Sequence, residues 1–292
     1  MIGTYTFKQN GKVIAQQQNL ITTAGRKAIV DYFAGYIGSL VGSIVVGIGT
    51  AAANVADTSL NFEFFRTPVD LSSADYANNG VVFKGTLPDT VEGTIYEVGA
   101  WSNYSAADQY VSSLLLNFDP NVDTWTAGSY VATNSRIGSA LQLTASASAT
   151  TTSTLADVAF DLSGYSGTDQ FSLAYRANNA FVANLKLRLK TDDANYYEYT
   201  INTPSSGVYT ITSFNKSAMT TTGSPNWANI TKVDVSTTST AGGTGSIDFD
   251  GLRIEDRNSL REDSVLVSRT VLGTPVVKTA GLPLDVEYTI TL

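Results

Sequence analysis

Apolar residues recur at every second position through most of this 292-residue chain, and at helical spacing in one stretch. Short alternating segments, punctuated by Gly, Asn, Asp and Pro, read as strands joined by turns. "TYTFKQNGKVIAQQQNL" reads as a hairpin that turns at Asn10-Gly11, the dipeptide best suited to the positive φ angles of a tight hairpin turn. "TTAGRKAIVDYFAGYIGSL" sets Ile29, Tyr32, Phe33, Tyr36, Ile37 and Leu40 three and four residues apart. That spacing predicts a helix packed on a sheet, N-capped by Thr22 or Thr23. "SIVVGIGT", "LNFEFFRTPVD", "GVVFKGTLP", "GTIYEVGAWSN" and "YVSSLLLNF" follow as strands.

The texture changes near Asn117. From there to Glu255 the chain is rich in Ser, Thr, Asn and Gly, and short segments such as "LADVAFDLS", "NYYEYTIN" and "SIDFDGLRIE" suit strands. Their density, with regular turn signals, indicates a β-sandwich. The closing "SVLVSRTVLGTPVVKTAGLPLDVEYTITL" returns to the apolar, strand-dense texture of the opening. Two strands alone are marginal in water, so this pair must complete a sheet begun earlier. The expected fold is mainly β. A discontinuous β-sheet or sandwich domain with one packed α-helix spans 1–116 and 257–292. An antiparallel jelly-roll β-sandwich at 117–256 is inserted into it. Insertion of this kind works at exposed loops when the guest's ends lie close together.

Composition narrows the chemistry. The chain has no cysteine and no histidine, which removes disulfides, thiolate sites, His-ligated zinc and Ser-His-Asp systems. A net charge of −8, with scattered basic residues, argues against nucleic acid. No apolar run approaches the ~20 residues of a membrane span, so no membrane insertion is expected.

The outer segments resemble a family of tailed-bacteriophage virion proteins of the tail-fibre, tail-collar and baseplate-associated kind. "NLITTAGRKAIVDYFAG" is similar to the family's Asn-x-x-Thr-x-x-Gly entry into a helix. "SIVVGIGTAAANVADTSLNFEFFR" is similar to its strand, Gly-x-Gly-Thr loop, Asp-Thr-x-Leu and closing Arg. "TIYEVGAWSN" resembles the Ile-x-Glu-x-Gly-aromatic strand, and the terminal pair carries a Lys between strands. The resemblance covers roughly the first 115 residues and the last 36, and implies a non-enzymatic assembly role in a virion. The middle, with "FDPNVDTW", "DDANYYEYTI", "NWANITKVDVS" and "IDFDGLRIED", is similar to galactose-binding-like jelly rolls used as carbohydrate-binding modules.

Several constellations are candidates for chemistry. Gly47, Gly49 and Ala52 after a strand, with Asp70 some twenty residues on, match the letter of a dinucleotide fingerprint. The required helix and further βαβ units are missing, so a tight loop between strands is the reading adopted. Asp119, Asn121 and Asp123 alternate as in a calcium loop. An EF-hand fails at Thr124 and Tyr130, which leaves a jelly-roll calcium site using Asp119, Asp123 and Asp250, or a turn built by Asx side chains. Tyr196, Tyr197 and Tyr199 on one strand, with Trp125 and Trp227, could stack on sugar rings or fill the sandwich core. Glu92 with Glu97, and Asp248 with Asp250, are carboxylate pairs for glycoside hydrolysis by residue type alone.

The functional expectation is a non-enzymatic virion component, tail or baseplate-associated. It would form homo-oligomers, contact other virion proteins, and display the jelly roll to cell-surface polysaccharide. A capsid decoration protein with a projecting knob is the rival within that class. A secreted glycan-active enzyme, or its binding module, is the rival outside it.

Overall fold

The structure, a computed structural model, describes residues 2–102, 112–118, 124–133, 135–255 and 265–291. It is mainly β, with strands numbered along the chain. The chain divides into two compact units: Met1–Ser112 with Ser259–Leu292, and Ser113–Asn258.

The first unit holds two five-stranded antiparallel sheets. One comprises β1 (Ile2–Gln9), β2 (Lys12–Gln18), β6 (Leu71–Asp75), β7 (Gly80–Leu87) and β21 (Leu284–Thr291), in the order β2-β1-β21-β7-β6. The other comprises β3 (Leu20–Ile21), β4 (Ser43–Gly47), β5 (Glu63–Pro68), β8 (Gly93–Trp101) and β20 (Leu266–Lys278), in the order β3-β20-β8-β4-β5. The last two strands do not pair with each other. Gly281, at φ +82°, lies in the turn that carries the chain from one sheet to the other. β21 then sits between β1 and β7, and β20 beside β8. Tyr5 and Tyr288 stack at 4.7 Å between ring centres, fully buried. The Tyr5 hydroxyl lies 2.6 Å from Ser268 Oγ on β20, so it links the two sheets.

Helix α1 (Thr23–Phe33) starts where Thr22 caps it: Oγ1 accepts from Gly25 N at 2.8 Å and donates to the Leu266 carbonyl. Gly25 packs so closely on the Val267 carbonyl that a Cβ would collide with it. The Asn-x-x-Thr-x-x-Gly pattern thus encodes a cap and a close approach. The helix is shorter than its apolar spacing predicts, because Gly35 turns the chain at φ +77°. Tyr36, Ile37 and Leu40 therefore lie beyond it. Ile29, Ile37 and Leu40 are buried, but Val30, Phe33 and Tyr36 remain 64%, 65% and 81% exposed.

The second unit is a sandwich of two antiparallel sheets. One orders β10 (Ser129–Val131), β11 (Ala140–Ala145), β19 (Gly245–Glu255), β13 (Gln170–Ala177) and β16 (Tyr209–Asn215), with β9 (Ser112–Leu116) also pairing β19. The other orders β12 (Thr150–Leu155), β18 (Lys232–Ser239), β14 (Val182–Lys190), β15 (Tyr196–Asn202) and β17 (Thr220–Thr222). Their facing sides supply one core, with Leu143, Leu173, Leu187, Val235 and Phe249 fully buried. Each such side chain contributes about 1.5–3 kcal/mol. "LADVAFDLS" is a strand only at Leu155, the last residue of β12. Asp157 takes φ +58°, and beyond it the segment bridges through Phe160 to Ile230.

Candidate functional site

Strand β15 decides the fate of the tyrosines. Successive side chains on a strand point to opposite faces. Tyr197 and Tyr199 point into the sandwich, while Tyr196 and Glu198 point out. Tyr197 stacks on Trp227 at 3.6 Å and 9°, and its hydroxyl donates to the Pro225 carbonyl at 2.9 Å. Tyr199 stacks on Phe214 at 3.6 Å and 6°. Trp125 lies on Phe118 at 5.1 Å, deep in the same core. The Lys216 ammonium sits 4.5 Å from the Trp227 ring. Four of the five rings singled out as sugar platforms are thus engaged by core partners. Only Tyr196 faces outward, and the Arg188 guanidinium covers its ring at 4.7 Å.

Around Tyr196 the outer face is a ladder of ion pairs. Glu198 accepts from Lys186 at 3.0 Å and Arg188 at 2.6 Å. Burial pushes the Glu198 carboxyl up, but these two cations outweigh it and hold it below its ordinary value. Asp234 accepts from Lys190 at 2.9 Å and Thr154 at 2.8 Å.

Of the calcium constellation, only Asp250 lies among the described residues; Asp119 and Asp123 lie outside them. Asp250 is buried, and its carboxylate accepts from Ser135 Oγ and Arg136 N at 2.7 Å, from Ile137 N at 3.3 Å, and from the Tyr209 hydroxyl. Those donors take the lone pairs that a calcium ion would need. Burial raises the Asp250 pKa, against the pull of Tyr209 and the other donors. Among the described residues, no cluster of three acidic side chains could hold a metal.

The same donors reveal a polar face that the sequence reading did not assemble. Gln142, Asp248, Arg176 and Tyr209 stand in register on β11, β19, β13 and β16, one row across four strands. Neighbouring strands are ~4.8 Å apart, so the row spans roughly 14 Å. Asp248 accepts from Gln142 at 2.8 Å and from Asn178 at 2.9 Å. The Arg136 guanidinium lies 3.9 Å from the Tyr209 ring centre. The signal in the sequence was the alternation of Asp248 and Asp250. As a hydrolytic pair they are unsuited, since fixed donors hold both carboxylates. What the row offers is an ordered set of hydrogen-bonding groups beside an aromatic ring.

In the first unit the Gly-x-Gly loop serves an internal anion. Glu97, fully buried, accepts from Gly49 N at 3.0 Å, Phe62 N at 2.8 Å and Asn61 N at 3.0 Å. Arg269 Nε adds a bond at 2.9 Å, and its guanidinium also meets Asp57 and the Ala51 carbonyl. A Cβ on Gly47 would lie 2.6 Å from Glu97 Oε1, and one on Gly49 would strike the same oxygen. The fingerprint cradles a side-chain carboxylate, not a pyrophosphate, and Glu97 has a structural task rather than a hydrolytic one.

Comparison with known proteins adds little. No family model matches the chain, and no curated protein matches it. Among solved structures, PfGH50B is 12% identical over 48% of this chain and 23% of its own, with a TM-score of 0.35. A family 11 carbohydrate-binding module from Clostridium thermocellum, in complex with a β-1,3-1,4-mixed-linked tetrasaccharide, is 12% identical over 49% of this chain and 94% of its own, at 0.37. The agarase AgWH50C is 11% identical over 50% of this chain and 24% of its own, at 0.35. The chain therefore spans about a quarter of the length of PfGH50B and of the agarase. TM-scores this low fix neither fold nor function.

Proposed function

We propose that the protein is a non-enzymatic structural component of a tailed-phage virion, tail or baseplate-associated. Its discontinuous first unit assembles with like subunits and other virion proteins. Its second unit, a jelly-roll sandwich, is displayed to host-surface glycan. The observation that carries this reading is the uneven finish of the two surfaces. Among the described residues, thirteen exposed large apolar side chains belong to the first unit and three to the second. Among them Tyr32 and Phe33 lie side by side on α1, ring centres 6.0 Å apart, and contiguous exposed apolar surface marks an interaction site. The second unit instead covers its sheets with threonines and ion pairs, and Gln142, Arg176 and Tyr209 are part-exposed on one of them, a surface suited to hydroxyl-rich ligands. Contacts to a glycan through such a row are individually weak and gain from repetition in an assembly.

The test combines a glycan array, a reducing-sugar assay and electron microscopy of particles carrying the protein. Expected are ordered assemblies on the virion, and glycan binding that Arg136→Ala weakens at least tenfold, without release of reducing ends. Sugar release would make the protein an enzyme. Absence from the particle would remove the virion role.

A further inference from the structure

The proposed assembly role leaves open which surfaces meet. We infer that the first unit assembles head to tail: the Tyr76 tip of one copy enters the groove beside helix α1 of the next. This rests on the reading that the first unit is an assembly module, and it names the contact.

The knob is the β6–β7 hairpin. Tyr76 is 90% exposed there, on a turn pinned by Asp75, whose carboxylate accepts from Asn78 Nδ2 at 2.8 Å. Asn79 closes the turn at φ +51°. A large aromatic ring held in water on an ordered tip costs apolar exposure that burial against a partner would recover. The hole is a groove of about 550 Å³ lined by Ile2, Asn19, Leu20, Arg26, Ile29 and Val30. Its rim is apolar and open, with Ile2 57% and Val30 64% exposed.

The sheet register sets knob and hole at the same level. Asp75 pairs with Gly80, Gly80 with Thr291, and Thr291 with Ile2. These four residues form a single row across the sheet. The tip, residues 76–79, joins Asp75 to Gly80 and projects along the strands past the row's β6–β7 end. The groove opens at the other end, where Asn19 N bonds the Gly3 carbonyl beside edge strand β2. Two copies placed side by side in the same orientation bring the tip of one against the groove of the other. A two-fold axis between copies would instead set like edge against like edge. The contact is therefore heterologous, and its repetition gives a ring or a winding filament.

Charge agrees with this pairing. The tip segment 71–80 carries Asp75 and no base, while Arg26 lines the groove. Lys27 is held by Asp31 at 2.7 Å, which leaves Arg26 to meet Asp75 beside the tip. Complementary charge of this kind fixes the register of an encounter and rejects like-edge pairing.

The chain has no cysteine, so introduced ones report cleanly. The full chain is made as Tyr76→Cys and as Val30→Cys, and each is oxidised alone and as a mixture. The expected result is disulfide dimers in the mixture at least tenfold above either variant alone, and a ladder of higher species from the double variant. In sedimentation, Tyr76→Ala should associate at least tenfold more weakly than the wild type. Because Tyr76 is solvent-exposed, this variant keeps its fold, which circular dichroism checks. If the wild type assembles but Tyr76→Ala assembles equally, or Tyr76→Cys cross-links to itself as readily, the tip-in-groove contact is wrong while the assembly role survives. A wild type that stays monomeric at every concentration removes both.

Discussion

The two units are both two-sheet sandwiches and both bury charge, yet they finish their surfaces differently. The first unit buries charge: Glu97 and Arg269 lie inside, bonded to a loop and to each other, while Phe33, Tyr36 and Tyr76 face water. The second unit buries Asp248, Asp250, Arg253 and Glu255 as well, but it stacks Trp125, Tyr197, Tyr199 and Trp227 against its core and leaves the Lys186–Glu198–Arg188 ladder on an outer face. An ion pair held inside fixes a loop in one conformation, whereas ion pairs and threonines outside keep a surface from sticking. The difference is the one expected between a part that packs against copies and a part that stays in solvent.

The largest effect on this contrast should come from Glu97→Ala. It strands three backbone N–H groups and leaves Arg269 only Asp57 and the Ala51 carbonyl, and removing one partner of a buried pair costs about 3–5 kcal/mol. Hydrogen exchange should rise in β4, β8 and β20, and not in β14 or β18. Next, Tyr197→Ala should cost the second unit about 3 kcal/mol, as loss of a packed aromatic ring does, with exchange rising in β14 and β15. Unchanged stability with lost glycan binding would instead make Tyr197 a binding platform.

Alkali gives a third contrast. Burial raises the pKa of Tyr5, helped by Tyr288 and opposed by the Ser268 hydrogen bond. Burial likewise raises Tyr288, against hydrogen bonds from Ser268 and Asn19. The folded unit therefore keeps these protons after the unfolded chain has begun to lose them. Their stabilisation is fully present below the ordinary tyrosine value of ~10 and is lost above it, by up to about 1.4 kcal/mol per pH unit for each phenol. Unfolding followed between pH 9 and 12 should show the first unit failing earlier in wild type than in Tyr5→Phe at the same relative stability. The smallest effect belongs to Glu198→Gln. An exposed ladder of this kind is worth up to about 1 kcal/mol. Because the Glu198 pKa is lowered, its contribution is present above the ordinary carboxylate value and fades as pH falls through the folded one. The variant should show a flatter acid limb below about pH 4.

Local signals were legible where the deciding atoms were close in sequence. Asn10-Gly11 turns the first hairpin at φ +51° and +74°, and Thr22 caps the helix. The helix end was misjudged because apolar spacing continues past Gly35 although the backbone does not. Which face of β15 is buried cannot be read from "NYYEYTIN", since a one-residue change of register exchanges Tyr196 for Tyr197. The polar row on the opposite sheet needed β11, β19, β13 and β16 in register, four segments spread from 140 to 255. The Gly47-Gly49 loop looked like a phosphate cradle because its true anion, Glu97, lies 48 residues away in the sequence.

Sedimentation of three chains tests the division of labour most directly: the whole protein, residues 113–258 alone, and residues 1–112 joined to 259–292 by a short Gly/Ser bridge. The account predicts that the whole protein and the bridged chain assemble to the same stoichiometry, while 113–258 stays monomeric up to millimolar concentration. Assembly by 113–258 alone, with a folded bridged chain that remains monomeric, would contradict it.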